Sequence, residues 1–119
     1  MSKDSPQLSK SVVARYFDMW NSGDTSAVAD LLRDDWMDHS HPEVTGPESV
    51  REAVTRARAT RPDLHFTIMA LLGQDVHGEL VAAVGSVGHP SEVTDDTARL
   101  IWLVRLEDGR MAEMWTYRA

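Results

Sequence analysis

The run Arg105-Leu106-Glu107-Asp108-Gly109-Arg110-Met111-Ala112-Glu113-Met114-Trp115 decides how the C-terminal half of this chain is read. Asp-Gly is a favoured two-residue hairpin turn, because both central positions need backbone conformations that Asp tolerates and Gly adopts freely. A tight turn at Asp108-Gly109 sets Glu107 opposite Arg110 and Leu106 opposite Met111. Regular alternation then pairs Val104 with Glu113, Trp102 with Trp115 and Leu100 with Tyr117, all on one face. The other face carries Arg99, Ile101, Leu103 and Arg105 against Ala112, Met114, Thr116 and Arg118. Both faces of this hairpin hold substantial apolar surface.

Working back from the hairpin, period-two patterning predicts strands over about 63–73, 79–89, 96–107 and 110–118. Before Pro62 the period changes to that of helices. Val13, Tyr16, Phe17 and Trp20 make one stripe of a helix starting near Leu8. Gly23 suits its left-handed cap. Asp24 caps a second helix carrying Ala27, Val28, Leu31 and Leu32. Asp35-Trp36-Met37-Asp38-His39 reads as a short extended segment. Gly46-Pro47 opens a third helix with the stripe Val50, Ala53, Val54 and Ala57, Pro being tolerated in the first turn. The expectation is one α+β domain over 8–119 after a disordered lead-in at 1–7. Three N-terminal helices pack on a curved antiparallel sheet and enclose a pocket. They can cover only one face of that sheet. The other face, with Ile101, Leu103 and Met114, calls for a second copy of the chain, a homodimer.

Composition narrows the function. A chain of 119 residues with 42% hydrophobic content can bury one core. A net charge of −7 argues against nucleic acid and anionic membrane as partners, since both need clustered Lys and Arg. The absence of cysteine removes disulfides, thiolate nucleophiles and Cys-type metal sites, and fits a reducing cytoplasm. The N-terminus has no signal-peptide apolar region, and no apolar run approaches the roughly 20 residues of a membrane span. A soluble cytoplasmic protein is expected.

Asp38-His39-Ser40-His41-Pro42-Glu43 concentrates titratable groups. Asp38 shares parity with Trp36, so an extended backbone points both the same way. A carboxyl beside an indole and away from water has a raised pKa and can hold or pass a proton near neutrality; the plainer reading is a bend residue that caps the next turn. His39 can orient Asp38 or donate a proton itself, and His41 reads as solvated. A metal site built from Asp38, His39 and His41 with His65 or His89 lacks the ligand spacing of rigid sites, so no metal is expected. Tyr16 is either ordinary core with a satisfied hydroxyl or a donor to a substrate oxygen in a dry cavity. Trp20, Trp36, Trp102, Trp115 and Tyr117 are candidates to line a cavity for a planar polycyclic ligand. Glu113 reads as a residue of the cavity mouth.

The segment Ala14–Gly23-Asp24, the pair Asp38-His39, Gly46-Pro47-Glu48-Ser49-Val50-Arg51, Arg61-Pro62-Asp63-Leu64 and the ending 105–115 together resemble the nuclear transport factor 2-like superfamily. Within it they look most like the SnoaL-like polyketide cyclase branch. The resemblance runs from about Val12 to the end. It implies a cone-like α+β fold with an internal cavity, assembly as dimers or tetramers, and cofactor-free proton transfer on a small apolar, polyketide-like molecule. The expected function is therefore cyclisation or isomerisation in secondary metabolism, such as antibiotic biosynthesis. The alternatives are a non-catalytic small-molecule binding module and an epoxide hydrolase or oxygenase activity on the same scaffold. The resemblance places Tyr16 at the oxyanion-donor tyrosine of the ketosteroid isomerase branch and Asp38 at its general base. Trp102 stands where that branch has a second oxyanion donor, an acid. Ala119 stands where the cyclase branch usually has an Asp.

Overall fold

A computed structural model of the chain describes residues 5–73, 79–88 and 99–118. Its elements in order are α1 (Ser5–Ser22), α2 (Val28–Leu31), β1 (Leu32–Asp38), α3 (Gly46–Thr60), β2 (His65–Gly73), β3 (Leu80–Gly88), β4 (Leu100–Glu107) and β5 (Arg110–Arg118). The five strands form one sheet in the order β1-β5-β4-β3-β2. This is an α+β architecture with two differences from expectation. Only two helices precede the first strand, and α2 has a single turn, because Leu32 already belongs to β1. The sheet is mixed: β1 runs parallel to β5, while the other pairings are antiparallel. A parallel neighbour needs a crossover connection, and here the whole of α3, β2, β3 and β4 lies between the two strands.

Helix α1 starts at Ser5, three residues before the expected Leu8; residues 1–4 of the expected lead-in lie outside the described residues. Val13, Tyr16 and Phe17 are buried and Trp20 packs against the core, as their spacing requires. Gly23 closes the helix with φ of +83°, its N–H donating to the Met19 carbonyl at 2.8 Å. Asp24 caps a tight turn rather than α2, its carboxylate accepting from the Ser26 N–H at 3.0 Å. Asn21, at the end of α1, reaches edge strand β2 with both ends of its amide. It donates to the Phe66 carbonyl at 2.9 Å and accepts from the Phe66 N–H at 2.7 Å. A side chain thus supplies the pairing that an edge strand otherwise leaves open.

Helix α3 begins at Gly46-Pro47 and buries Val50 and Val54. Its stripe and those of α1 and α2 meet Leu32, Trp36, Val81, Ala83, Trp102, Val104, Leu106, Met111 and Met114 from the sheet in one core. Gly85 marks where β2 and β3 come closest. A Cβ there would lie 1.9 Å from the Thr67 carbonyl oxygen, so no other residue fits. Gly85 pairs with Ile68, and directly beyond that pair the register of β2 slips between Ile68 and Ala70 and leaves Met69 as a bulge, a device that bends a strand.

The decisive departure lies in the β4–β5 hairpin. Glu107 pairs with Arg110 and Leu106 with Met111, as the Asp-Gly turn dictates. Then Ala112 is skipped: Arg105 pairs with Glu113, Val104 with Met114, Leu103 with Trp115, Trp102 with Thr116 and Ile101 with Tyr117. Met111 and Ala112 are consecutive and both buried, which strict alternation forbids. A one-residue slip reverses the faces of everything beyond it. Met114, expected on the outer face, is therefore core. Trp115 and Tyr117, expected beside Trp102, lie on the opposite face.

Candidate functional site

The inner face of the sheet gathers aromatic rings from α1, β1, β2 and β4. Tyr16 stands edge-on to Phe17 with centroids 5.2 Å apart and lies 5.7 Å from Trp36. Phe17 lies 4.9 Å from Trp102, and Phe66 approaches Trp102 at 6.0 Å and Trp20 at 5.8 Å. Of the expected ligand-lining residues, Trp20, Trp36 and Trp102 are thus brought together with Tyr16. Phe17 and Phe66 complete the group. Phe17 sat on the α1 stripe, and Phe66 carried only the alternation of β2 as its signal.

Asp38 ends β1 on this side, as its parity with Trp36 required. It is 8% exposed and the only buried acid among the described residues. Burial raises its pKa above the ordinary 3.8; the Ser40 and His41 N–H groups and the neighbouring His charges only partly oppose that. The Ser40 N–H donates to Asp38 Oδ1 at 2.9 Å. Both sequence readings therefore coexist: the carboxyl caps a turn and is desolvated. Tyr16 is 3% exposed. Its pKa is raised by burial first and by the negative charge of Asp38 second, while the neighbouring Trp20 indole acts the other way. Its hydroxyl thus stays protonated and keeps its hydrogen to donate. The indole Nε1 of Trp36 is buried with no hydrogen-bond partner.

His39 follows Asp38 but turns to the other face. Its Nε2 meets Glu113 Oε2 at 2.8 Å, and its ring stacks flat on Trp115 with centroids 4.8 Å apart. Arg105 Nε donates to the second oxygen of Glu113 at 2.6 Å and its Nη1 to Glu107 at 3.0 Å. The pKa of Glu113 falls, through its bond to His39 first and to Arg105 second. Thus the structure does not bring His39, Trp115, Tyr117 or Glu113 to the Asp38 side. His41 is exposed and lies 3.8 Å from Glu43, and His65 is half-buried at the start of β2. His89 and Ala119 lie outside the described residues. Among the described residues, no three His, Asp or Glu side chains come close enough to share a metal ion. None of the described helices is long and apolar enough to cross a membrane. A surface depression lined by Arg33, Asp34, Asp35 and Arg110 contains none of the expected site residues.

What the inner arrangement can do chemically follows from its donors and acceptors. It offers one carboxyl whose pKa burial raises, the Tyr16 hydroxyl and the Trp36 indole as donors, and aromatic rings packed around them. The sequence matches the SnoaL-like domain family over residues 13–114. Among solved structures, an NTF2-like protein of unknown function from Mesorhizobium loti superposes with a TM-score of 0.72 at 18% identity, over 100% of this chain and 97% of that one. A SnoaL-like polyketide cyclase from Agrobacterium tumefaciens gives 0.65 at 16% identity, over 91% and 88%. IdmH from Streptomyces antibioticus gives 0.68 at 22% identity, over 92% and 91%. At these identities the likeness establishes the fold. No curated protein matches the chain.

Proposed function

Because the chain belongs to the SnoaL-like domain family, we propose that it is a cofactor-independent enzyme that cyclises or isomerises a small polyketide-like molecule by proton transfer. The observation that carries this reading is the Asp38 carboxyl, 8% exposed beside Trp36 and electrostatically coupled to Tyr16. As its carboxylate, Asp38 removes a proton from the carbon next to a substrate carbonyl. The electron pair moves onto the carbonyl oxygen, and the Tyr16 hydroxyl donates to the oxygen as its charge develops. The proton then returns to a different atom, or the carbanion closes a ring on a second carbonyl. Trp20, Trp36 and Trp102 form the apolar walls that select a planar substrate. His39 is assigned to the outer face, with Glu113 and Trp115, and takes no part in the proton transfer.

The outer face is proposed to bury itself against a second copy of the chain. Ile101, Leu103 and Trp115 lie there half-buried, and Tyr117 is 50% exposed. Met114 leaves the set because it is core. Leu103→Asp should convert a dimer to monomer in sedimentation; an unchanged mass would reject this face as the interface.

One observation favours a second reading, a binding module. The Asp38 carboxylate accepts the Ser40 N–H and its backbone carbonyl accepts the His41 N–H, so its burial has a purely structural use. Metabolite comparison separates the two. Deleting the gene from its host should make an intermediate accumulate with the same mass as the normal product. Wild-type protein supplied back should clear it and Asp38→Asn protein should not. Full rescue by Asp38→Asn would refute the enzyme reading.

A further inference from the structure

Trp36 is 1% exposed and the largest fully buried side chain of the described residues. Its indole carries a hydrogen-bond donor, and no acceptor among the described residues meets it. A buried donor without a partner costs stability, and a phenylalanine or leucine would fill an apolar site without that cost. Trp36 lies against the Tyr16 ring, at 5.7 Å between centroids. It is two residues before Asp38 on the same buried side of β1. Asp38, a proton acceptor, thus shares its side of the fold with the Tyr16 hydroxyl and with Trp36 Nε1–H, a buried donor that has no partner among the described residues.

We propose that the indole N–H of Trp36 is the second donor to the ligand oxygen, paired with the Tyr16 hydroxyl beside Asp38, and that the site selects a ligand with a carbonyl or enol oxygen on a planar ring. This rests on the proton-transfer reading above and assigns Trp36 a polar role there in addition to its place in the wall. When Asp38 takes the carbon-bound proton, the displaced pair resides on the oxygen held by the two donors. No further reactant is needed, and the proton returns from Asp38 in the second half of the reaction. An indole N–H cannot itself ionise in this range, so it stabilises the oxyanion without competing for the proton.

The test is nuclear magnetic resonance of protein labelled with nitrogen-15 at its four indoles, titrated with 2-naphthol and with naphthalene. The Trp36 signal is identified by its contacts to the Tyr16 ring, so the wild-type chain suffices. The expected result is a downfield shift of the Trp36 indole proton with 2-naphthol that naphthalene does not reproduce. Trp36→Phe should weaken 2-naphthol about five- to tenfold and naphthalene little, the scale of one hydrogen bond. If 2-naphthol shifts Tyr16 and Asp38 while the Trp36 indole stays still, the proposal is overturned and the proton-transfer reading stands. If neither probe binds, the site takes no oxygenated aromatic ligand and both fail.

Discussion

Asp38 and His39 are neighbours in sequence and opposites in environment. One enters the dry inner face with Trp36 and Tyr16; the other joins Glu113, Arg105 and Trp115 on the outer face. The two acids of the comparison move in opposite directions for that reason. Desolvation raises Asp38, and ion pairing lowers Glu113. Burial makes the inner carboxylate a stronger proton acceptor than a solvated one, while the outer one is committed to its cations. Two such groups next to each other in one sheet illustrate how a strand's period of two sorts adjacent side chains into different chemistry.

The largest expected effect breaks the inner side. Asp38→Asn should lower turnover about 10²- to 10⁴-fold, the usual worth of a positioned proton-transfer group. The amide oxygen can still accept from the Ser40 N–H, so thermal unfolding should change little. Next, Trp102→Ala should cost about 3–5 kcal/mol in urea titration, because it opens a cavity against Phe17 and Phe66. By contrast His39→Ala on the outer face should cost only about 0.5–1 kcal/mol of stability, and leave the rate alone. Its side chain is 42% exposed, and its pair with Glu113 is largely solvent-screened.

The smallest effects, in the pH dependence of stability, carry opposite signs. Glu113 has a depressed folded pKa, so its contribution is present above the ordinary 4.5 and is lost as pH falls through the folded value. Asp38 has a raised folded pKa, so ionising it costs stability. That cost grows as pH rises from the ordinary 3.8 to the folded value and is constant above it. Urea titrations across the acid range should show Glu113→Gln removing a loss at low pH. Asp38→Asn should remove a loss that sets in on raising the pH. Matching profiles for the two variants would erase the distinction between the faces.

Much of this was legible in the chain. The stripes of α1 and α3, the Gly23 cap and the Asp108-Gly109 turn are local signals, and each stands where the sequence puts it. Asp38 and Trp36 share a side because two residues of extended backbone separate them. The Ala112 bulge was not legible from alternation, since counting pairs outward from a turn assumes no residue is skipped. The one hint was the adjacent apolar pair Met111-Ala112 just before a charged Glu113. The parallel partnership of β1 with β5 depends on contacts between segments over 70 residues apart, and no local pattern encodes it. The bulge set Trp115 and Tyr117 on the other face, while Trp20, Trp36 and Trp102, fixed by helix stripe, strand end and the unbulged strand β4, lie on the inner face.

The most direct measurement is a carbon-13 titration of the side-chain carboxyls, following Asp38 with Glu113 as internal reference. The account predicts an Asp38 midpoint above 3.8 and a Glu113 midpoint below 4.5, so the aspartate is the later of the two to ionise. An Asp38 midpoint at or below 3.8 would mean that turn-capping outweighs burial, and would contradict its role as the proton carrier of the inner face.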